Sequence, residues 1–598
     1  MRYLIEAARA KGLDRIAILY AVSAWVVVQA AAIAAPAYSW PAWALQLIIL
    51  VALLGLPVVL LGAWTQGVRG DAGGALKPSR ADWHVLATLG VGAFFLGAVV
   101  VWAFWPRAAA TPTPGDTTTA APANSLAVLP FANLSGKADD YFADGVADEI
   151  LNALASRRGL RIAARTSSFA FKGRNLDAQA IARALHVRNL LTGSVREAGA
   201  HVRITAQLTN AADGYELWSQ SYDRDLTDIL AVQSDIAGAI SKALASRFGG
   251  SAPPPVTQTR AAAIDRDAYR MYLEAKELAY RGNEDDLTRA AGLLRSTTEK
   301  APGFAGGYAQ LAWVLNTLVE RYSKTAELAP AEIAAQQALN LDAANIRALS
   351  ALLRIRLDQW RWNEALDLFR TMQGANPNHS IVLTDRSNIA YIFNYPEQDL
   401  AAALKAAELD PLKPSLWYNL ALWYWDEKRY DEAAAAIHRV QQLRKGKYQD
   451  RDMECLIEVG RGHFAAADTL IAGIAAYYKA SAQNALSCPF NLAVARKDTA
   501  RARAQLAAAI ADYQSNGGSE YVIADSYRLL GDLDAAMPWY ERAYQGRDTL
   551  LFYTPFEKYQ TRDLVDFPPW KALWSRPPIR AWEAARVDAG RILGVKGG

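Results

Sequence analysis

The sequence predicts a multidomain chain with three transmembrane helices, a small α+β domain and an all-α solenoid of helical repeats. Three observations predict it. Long uncharged apolar runs occupy the first hundred residues, strand and helix patterns alternate after them, and the remainder is Ala-rich with a period near 34 residues. A chain of 598 residues is long enough for three or four domains.

The composition argues against several classes of function. Lys and Arg number 64 against 60 Asp and Glu, and this near balance disfavours binding of nucleic acid by bulk charge. The six histidines form no i, i+3 or i, i+4 pair, which argues against a zinc site. No phosphate-loop, HExxH or GxSxG motif is present. We therefore expect no catalytic residue, cofactor or metal, and no nucleic-acid partner.

The first domain, residues 1–105, is predicted to be a membrane anchor. Its three uncharged runs, 16–35, 43–64 and 84–105, are each 20 or 22 residues long. At 1.5 Å per residue each run spans about 30 Å, the thickness of a bilayer core. Basic residues cluster before the first run and between the second and third, which predicts a cytoplasmic N-terminus. The lipid bilayer is thus an expected partner.

A Pro-, Thr- and Ala-rich linker, 106–124, precedes a predicted α/β domain at 125–248. Short apolar runs predict strands, and Phe142, Val146, Ile150 and Leu154 mark one face of a helix. Alternating apolar residues after position 201 predict a half-buried strand. The expected element order is βαβαβββα.

The segments SLAVLPFANLSG and DDYFADGVADEILNALAS of this domain resemble the TolB amino-terminal and FlgO-like family. The resemblance implies a bacterial protein in which this domain lies between a membrane segment and tetratricopeptide repeats. Together with the three runs and the basic residues around them, it predicts a multi-pass inner-membrane protein with its C-terminal domains in the periplasm. Related chains carry an adenylate cyclase or winged-helix output domain before the membrane. With 15 residues before the first run, neither is expected here. The family implies no catalytic residues.

Asp144 and Asp148 lie at i, i+4 in the predicted helix. They are interpreted as part of a solvated helix face near the helix N-terminus, and the alternative is a carboxylate pair for a metal.

A second linker, 249–264, leads to helical repeats at 265–546 and a capping region at 547–598. In the clearest unit, Trp417, Leu420, Ala421 and Tyr424 resemble the tetratricopeptide pattern W-x2-L-G/A-x2-Y. The resemblance implies paired helices and an unknown protein or peptide partner bound by the first helices.

Six residues are predicted for a peptide-binding groove on these first helices, because aromatic and Arg side chains are typical of binding hot spots. Packing of the aromatic residues against adjacent helices, and a solvated face for the first two arginines, are the alternatives. The six are Arg347, Arg354, Tyr418, Trp425, Tyr521 and Arg528.

Cys455 and Cys488 are 33 residues apart, about one repeat. Packed helix axes lie about 8–10 Å apart, whereas a disulfide needs Cα atoms within about 7 Å. The sequence therefore favours two small buried residues, with a disulfide in an oxidising compartment as the alternative.

The expected function is a non-catalytic scaffold or sensor at the bacterial envelope that binds proteins through its repeats. One alternative is a signalling accessory, the sensor part of a cyclase-type or regulator-type system with a separate output protein. Another alternative is an uncharacterised enzyme.

Overall fold

The structure is a computed structural model. It describes residues 121–135, 140–157, 159–174, 176–248, 263–444, 448–480, 482–552 and 562–595, together with Tyr20, Ala24, Trp25, Val28 and Gln29. The chain divides into two compact units, 1–113 and 114–598. Nearly all described residues belong to the second unit.

The structure corrects the predicted membrane anchor. None of the helices in the described ranges is long and apolar enough to cross a bilayer. The predicted spans 16–35, 43–64 and 84–105 fall, apart from a few residues, outside those ranges. A fold class with three transmembrane helices is therefore contradicted, and so is the multi-pass inner-membrane location derived from it. That prediction rested on the apolar runs, on the basic residues near them and on the family resemblance. The described chain is mostly helical, with one small sheet and a solenoid of paired helices.

The α/β domain follows the expected order with two short additions, β2 and α2. Its elements are β1 Ser125–Val128, β2 Ala132–Asn133, α1 Asp140–Ala155, β3 Arg161–Ile162, α2 Arg165–Phe169, α3 Ala178–Leu185, β4 Asn189–Ala198, β5 His201–Asn210, β6 Glu216–Asp225 and α4 Ile229–Phe248. The sheet order is β3-β1-β4-β5-β6, with β2 beside β4. The pairs of β1 with β3 and β4 are parallel, whereas β4–β5 and β5–β6 are antiparallel.

The two faces of the sheet are covered by different helices. Leu126 and Val128 on β1 pack into a cluster that contains α1 and α4. Ala127, between them, packs into a second cluster with Ile181 and Leu185 of α3. This alternation follows from the two-residue period of a strand, and it places α1 on the side of the sheet that meets the repeats.

The repeat region contains eight helix pairs within the described residues. They are α5 Arg266–Arg281 with α6 Glu284–Lys300, α7 Ala305–Tyr322 with α8 Leu328–Leu341, α9 Ile346–Asp358 with α10 Trp362–Ala375, α11 Ser380–Ile392 with α12 Pro396–Leu409, α13 Pro414–Asp426 with α14 Tyr430–Arg444, α15 Tyr448–Gly460 with α16 Phe464–Gly473, α18 Cys488–Ala495 with α19 Thr499–Asn516, and α20 Glu520–Leu529 with α21 Leu533–Gln545. A short helix, α17 Ala475–Ala480, lies before α18.

Small residues allow the paired helices to approach closely. In α13 and α14, Ala421 and Ala433 are fully buried, and Leu420, Ile437 and Val440 pack around them. Side-chain caps mark several helix starts, as where Asn345 accepts a hydrogen bond from the amide of Ala348 at the start of α9. Close contacts between the paired helices and capped helix N-termini thus stabilise the repeats.

Cys455 and Cys488 form a disulfide between α15 and α18, the first helices of neighbouring pairs, with Cα atoms 5.9 Å apart. The prediction of two unpaired buried residues is therefore wrong. The geometry of packed helices explains the bond, because a Cα atom on a facing side lies about 2.3 Å from its own helix axis, in the direction of the other helix. The distance between two facing Cα atoms is therefore well below the distance between the helix axes. With a small neighbour, Ala467, in the same cluster, the two cysteines come within bonding range.

The C-terminal region consists of α22 Arg562–Val565, α23 Pro568–Trp574 and α24 Pro577–Leu593. Trp570 of α23 packs on Tyr540 of the last pair, with ring centroids 4.9 Å apart. Helix α24 instead reaches back to the middle of the solenoid, where the Trp582 indole donates a hydrogen bond to the carbonyl of Ile392 at 3.2 Å. The tail therefore joins the last pair to α10 and α11, about 190 residues earlier.

Candidate functional site

The α/β domain packs against the first helix α5 and against the C-terminal ends of the second helices α10 and α12. The amide of Ala164 donates to the carbonyl of Leu409 at 2.8 Å, and Asn376 donates to the carbonyl of Ala155. At the same boundary, Arg161 pairs with Glu408 at 2.5 Å. Backbone and side-chain contacts thus fix the domain on a surface that the repeats would otherwise present to a partner.

A buried charge cluster lies at the centre of this boundary. Lys276 of α5 pairs with Asp148 of α1 at 2.5 Å and with Glu149 beside it. The side chains of Lys276 and Asp148 are 3% and 2% exposed. Arg165 of α2 adds a contact of 3.7 Å to Asp148 and one of 3.0 Å to Glu277. The cluster compensates each buried charge with at least one opposite charge, as burial requires.

The pKa values of these groups follow from their partners. Burial alone would raise the pKa of Asp148, but the charges of Lys276 and Arg165 outweigh it and lower this pKa. Burial would lower the pKa of Lys276, yet Asp148 and Glu149 raise it well above its ordinary value. The ion pair therefore keeps both groups charged at neutral pH.

The interpretation of Asp144 and Asp148 as a solvated helix face is wrong. Both are buried, and Asp144 pairs with Lys172 at 2.6 Å. Desolvation by burial raises the pKa of Asp144 in spite of this partner. The face is covered because α5 and α2 pack against it, which local sequence does not reveal. No group of three or more metal-binding side chains occurs in the described ranges, so the carboxylate-pair alternative gains no support.

A cavity of about 170 Å³ lies beside the charge cluster, which we call the interdomain cavity. Asp148, Asn152 and Arg165 line it from the α/β domain. The repeats contribute residues from the first helices of five pairs and from the turns before α11 and α13, among them Tyr280, Trp313, Arg347, Arg354, His379 and Lys413. Both halves of the chain are therefore needed to enclose it.

Two of the predicted groove residues, Arg347 and Arg354 of α9, line this cavity. Arg354 is held by Asp385 at 3.3 Å and by Glu320 at 3.8 Å. The guanidinium of Arg347 lies 5.8 Å from the ring centre of Trp313. The first-helix face is thus occupied here by the protein's own domain and a small cavity.

The other four predicted residues lie elsewhere and are not brought together with these two. Tyr418 and Trp425 of α13 are half-buried in the cluster around α13 and α14, and the Trp425 indole donates to the carbonyl of Leu456 at 3.2 Å. Tyr521 packs on Tyr540 with ring centroids 5.9 Å apart. Arg528 is buried and pairs with Asp525 at 2.7 Å.

Sequence reasoning missed Lys276, His379 and Asp410. Lys276 carried a signal, because it shares the apolar face of α5 with Tyr269, Tyr272 and Leu273, where an unpartnered Lys would be costly. Asp410 accepts hydrogen bonds from the amide and hydroxyl of Ser167, at 3.1 and 2.6 Å, across 243 residues of sequence. Such a distant contact leaves no local pattern to read.

Comparison with known proteins places tetratricopeptide repeats in the C-terminal region. The family model described as Tetratricopeptide repeat matches residues 414–446 and 521–545. Those segments coincide with α13–α14 and α20–α21, so the repeats that the sequence predicts there are confirmed.

A curated relative, "Putative adenylate cyclase 3" of Rhizobium meliloti, is 36% identical over 194 residues. The match covers 32% of this chain and 33% of that protein, so it spans about a third of the relative's length.

Two solved structures are also similar to parts of this chain. One is a tetratricopeptide repeat protein from Parabacteroides merdae, with 18% identity over 45% of this chain and 100% of that chain, at a TM-score of 0.32. Another is pilF of Pseudomonas aeruginosa, with 20% identity over 36% of this chain and 94% of that chain, at a TM-score of 0.30.

Proposed function

We propose that this chain is a non-catalytic scaffold or sensor whose tetratricopeptide repeats bind a protein or peptide partner. The observation that supports the proposal concerns the surface formed by the first helices of the pairs, which within the described residues is covered by the α/β domain in its early part and not in its later part. The early part of this surface, on α5, holds the chain's own α/β domain through Lys276, and Asn376, Leu409 and Asp410 hold it from the C-terminal ends of the second helices α10 and α12. The repeats thus already bind polypeptide, and the later part of the face is the proposed surface for a separate partner. In this proposal the α/β domain is of the TolB amino-terminal/FlgO-like type and stays docked on the repeats.

The proposed partner surface is centred on α13, within the segment that the repeat family matches. Tyr418 is half-buried there, and burial together with the nearby Asp452 raises its pKa to about 12, so the phenol stays neutral. A neutral, partly covered Tyr is the type of side chain that anchors protein interfaces. Trp425 supports the same helix through its hydrogen bond to Leu456.

Site-specific photo-crosslinking tests this surface directly. A photoreactive phenylalanine analogue replaces Tyr418 in one variant and the exposed Ala435 of α14 in a matched control. We expect a discrete crosslinked partner from position 418 and none from position 435. The same products from both positions, or none from either, would remove α13 from the proposal. Circular dichroism of both variants shows whether the fold is kept.

A second candidate function is that of a signalling accessory in a cyclase-type system. The observation that favours it is the partial match to a protein named as a putative adenylate cyclase. Under our proposal the purified chain does not itself convert ATP to cyclic AMP, with either Mg²⁺ or Mn²⁺ present. Cyclic AMP formation by the chain would replace the scaffold proposal with an enzymatic one. A change in cellular cyclic AMP on deletion of the gene, without such activity, would favour the accessory role.

A further inference from the structure

The wall of the interdomain cavity contains more basic than acidic side chains. Four basic side chains line it: Arg165, Arg347, Arg354 and Lys413. Arg165 and Arg354 are held by carboxylates, as described above. Among the described residues, no carboxylate forms an ion pair or a hydrogen bond with Arg347 or Lys413. Their donor groups are therefore available to an acceptor inside the cavity.

The two acidic residues in the wall are already engaged. Asp148 is paired with Lys276 and Arg165. Asp410 accepts two hydrogen bonds from Ser167. Burial lowers the pKa of Lys413, and the nearby charge of Asp410 partly offsets this, while Asp148 acts in the same way on Arg347. Four basic side chains against two carboxylates still leave the wall with a net positive charge.

The two cations come from different elements of the wall, Arg347 from α9 and Lys413 from the turn before α13. Arg347 and Arg354 are seven residues apart on α9, which corresponds to about 10 Å along the helix axis. The charges of Arg354 and Asp410 act on Lys413, whereas the charge of Arg347 acts on His379. A ligand that satisfies both cations therefore needs two anionic groups, one for each.

The part of the wall near Arg347 has a further feature that favours an anion. Helix α11 starts there, and Asn378, His379 and Ser380 at its N-terminus line the cavity. A helix N-terminus carries a partial positive charge. Burial and the charge of Arg347 lower the pKa of His379 to about 4, so this ring is neutral and offers hydrogen bonds without adding charge.

The size of the cavity limits the ligand. A water molecule enclosed in a protein needs a cavity volume of roughly 10–15 Å³. A cavity of about 170 Å³ thus has room for on the order of ten non-hydrogen atoms. That is enough for a short organic acid and too little for a stretch of peptide.

We propose that the interdomain cavity binds a small organic dianion, with one carboxylate or phosphate group at Arg347 and the other at Lys413. Because the walls come from both the α/β domain and the repeats, bound ligand would strengthen their association. Lys413 and Leu416 place the cavity next to the N-terminal end of α13. The ligand proposal nevertheless rests on Arg347 and Lys413 and does not depend on a partner at Tyr418.

Titration calorimetry of the purified full chain tests the proposal with succinate, acetate and inorganic phosphate as probes at constant ionic strength. Succinate should bind saturably at one site and at least tenfold more tightly than acetate, which has a single carboxylate. Arg347→Gln and Lys413→Met should each reduce succinate binding at least tenfold, to the level of acetate. The matched control is Arg289→Gln, an exposed Arg of α6 outside the cavity, which should bind succinate as the wild type does. Tight binding of phosphate with equally weak binding of succinate and acetate would overturn the two-ended ligand.

Urea unfolding of the wild type gives a readout that needs no variant. A ligand that binds only the folded chain shifts the unfolding midpoint upward with its concentration. Succinate should raise the midpoint more than acetate and chloride at matched ionic strength. Equal effects of the three salts, or no saturable heat with succinate up to 10 mM, on the order of a weak metabolite site, would contradict the proposal.

Discussion

The Nζ atom of Lys276 lies 2.5 Å from Oδ2 of Asp148, and the two buried side chains join the first repeat helix to the α/β domain. Buried ion pairs add little net stability compared with apolar residues, but they are costly to break singly. The pair therefore fixes which surfaces of the domain and the repeats meet. The α/β domain and the early repeats behave as one unit in this account.

Asp410 should tolerate loss of its charge better than loss of its oxygen. Asp410→Ala removes the acceptor of two buried hydrogen bonds from Ser167 and should cost about 2 kcal/mol of unfolding free energy. Asp410→Asn keeps an acceptor, and because burial raises the pKa of Asp410, removal of the charge at pH 8 should cost less than about 0.5 kcal/mol. Urea unfolding measures both. Equal losses for the two variants would show that the charge itself matters.

His379 should make the stability depend on pH. Its Nδ1 accepts a hydrogen bond from the amide of Ile381, and its pKa is lowered to about 4 by burial and by Arg347. Between pH 4 and about 6.5 the unfolded chain binds a proton that the folded chain does not, so stability falls as the pH falls through this range.

The variant His379→Asn keeps a capping side chain without that titration. Between pH 7.5 and pH 5, the unfolding free energy of the wild type should fall by about 2 kcal/mol relative to this variant. Other titrating groups cancel in the difference. The exposed His438→Asn is the control and should follow the wild type. A difference that is constant with pH would show that His379 is not neutral and buried as described.

The disulfide should stabilise the later repeats by closing a loop of 33 residues. Loop-closure entropy predicts a loss of about 2–4 kcal/mol when both Cys455 and Cys488 are replaced by Ala. Dithiothreitol should lower the thermal midpoint of the wild type and leave the double variant unchanged. Two reactive thiols in the denatured, unreduced wild type would contradict the bond.

Trp582 should be needed for stability although it lies close to the C-terminus. Its ring stacks on Phe393 with centroids 6.0 Å apart, and its indole bonds to the backbone of α11. Trp582→Ala should cost about 3–5 kcal/mol, as for other fully buried aromatic residues. Val587→Ala, at a position 43% exposed on the same helix, should cost less than about 1 kcal/mol in the same urea titration. Similar losses for both would mean that α24 does not pack on the middle repeats.

The sequence predicts what local patterns determine. The strand alternation of β5 and the spacing of Trp417, Leu420 and Tyr424 identified elements that the structure contains. The spacing of Cys455 and Cys488 predicted that they lie about one repeat apart, but their bond depends on how closely α15 and α18 pack. Local sequence patterns predict an element and its buried face, whereas the distance between two helices depends on how their side chains pack.

Long-range contacts explain most of what was missed. The pattern of α1 alone predicts that Asp148 is exposed. It is buried because the helix that carries Lys276, 128 residues later in the sequence, packs against it. The tail likewise pairs Trp582 with Ile392 across 190 residues, so a cap on the last repeat is one part of its role. The interdomain cavity is made by the same long-range docking and has no sequence motif.

The most direct measurement is a double-mutant cycle on Lys276 and Asp148 in the full chain. The unfolding free energies of wild type, Lys276→Met, Asp148→Asn and the double variant give the coupling between the first repeat and the α/β domain. Each single variant should lose about 3 kcal/mol because the remaining buried charge keeps only its second partner, Glu149 for Lys276 or Arg165 for Asp148, and the double variant should recover part of the loss. We expect a coupling of about 2 kcal/mol or more. Additive effects within about 0.5 kcal/mol would show that the two residues do not meet, and would contradict the docking of the domain on the repeats.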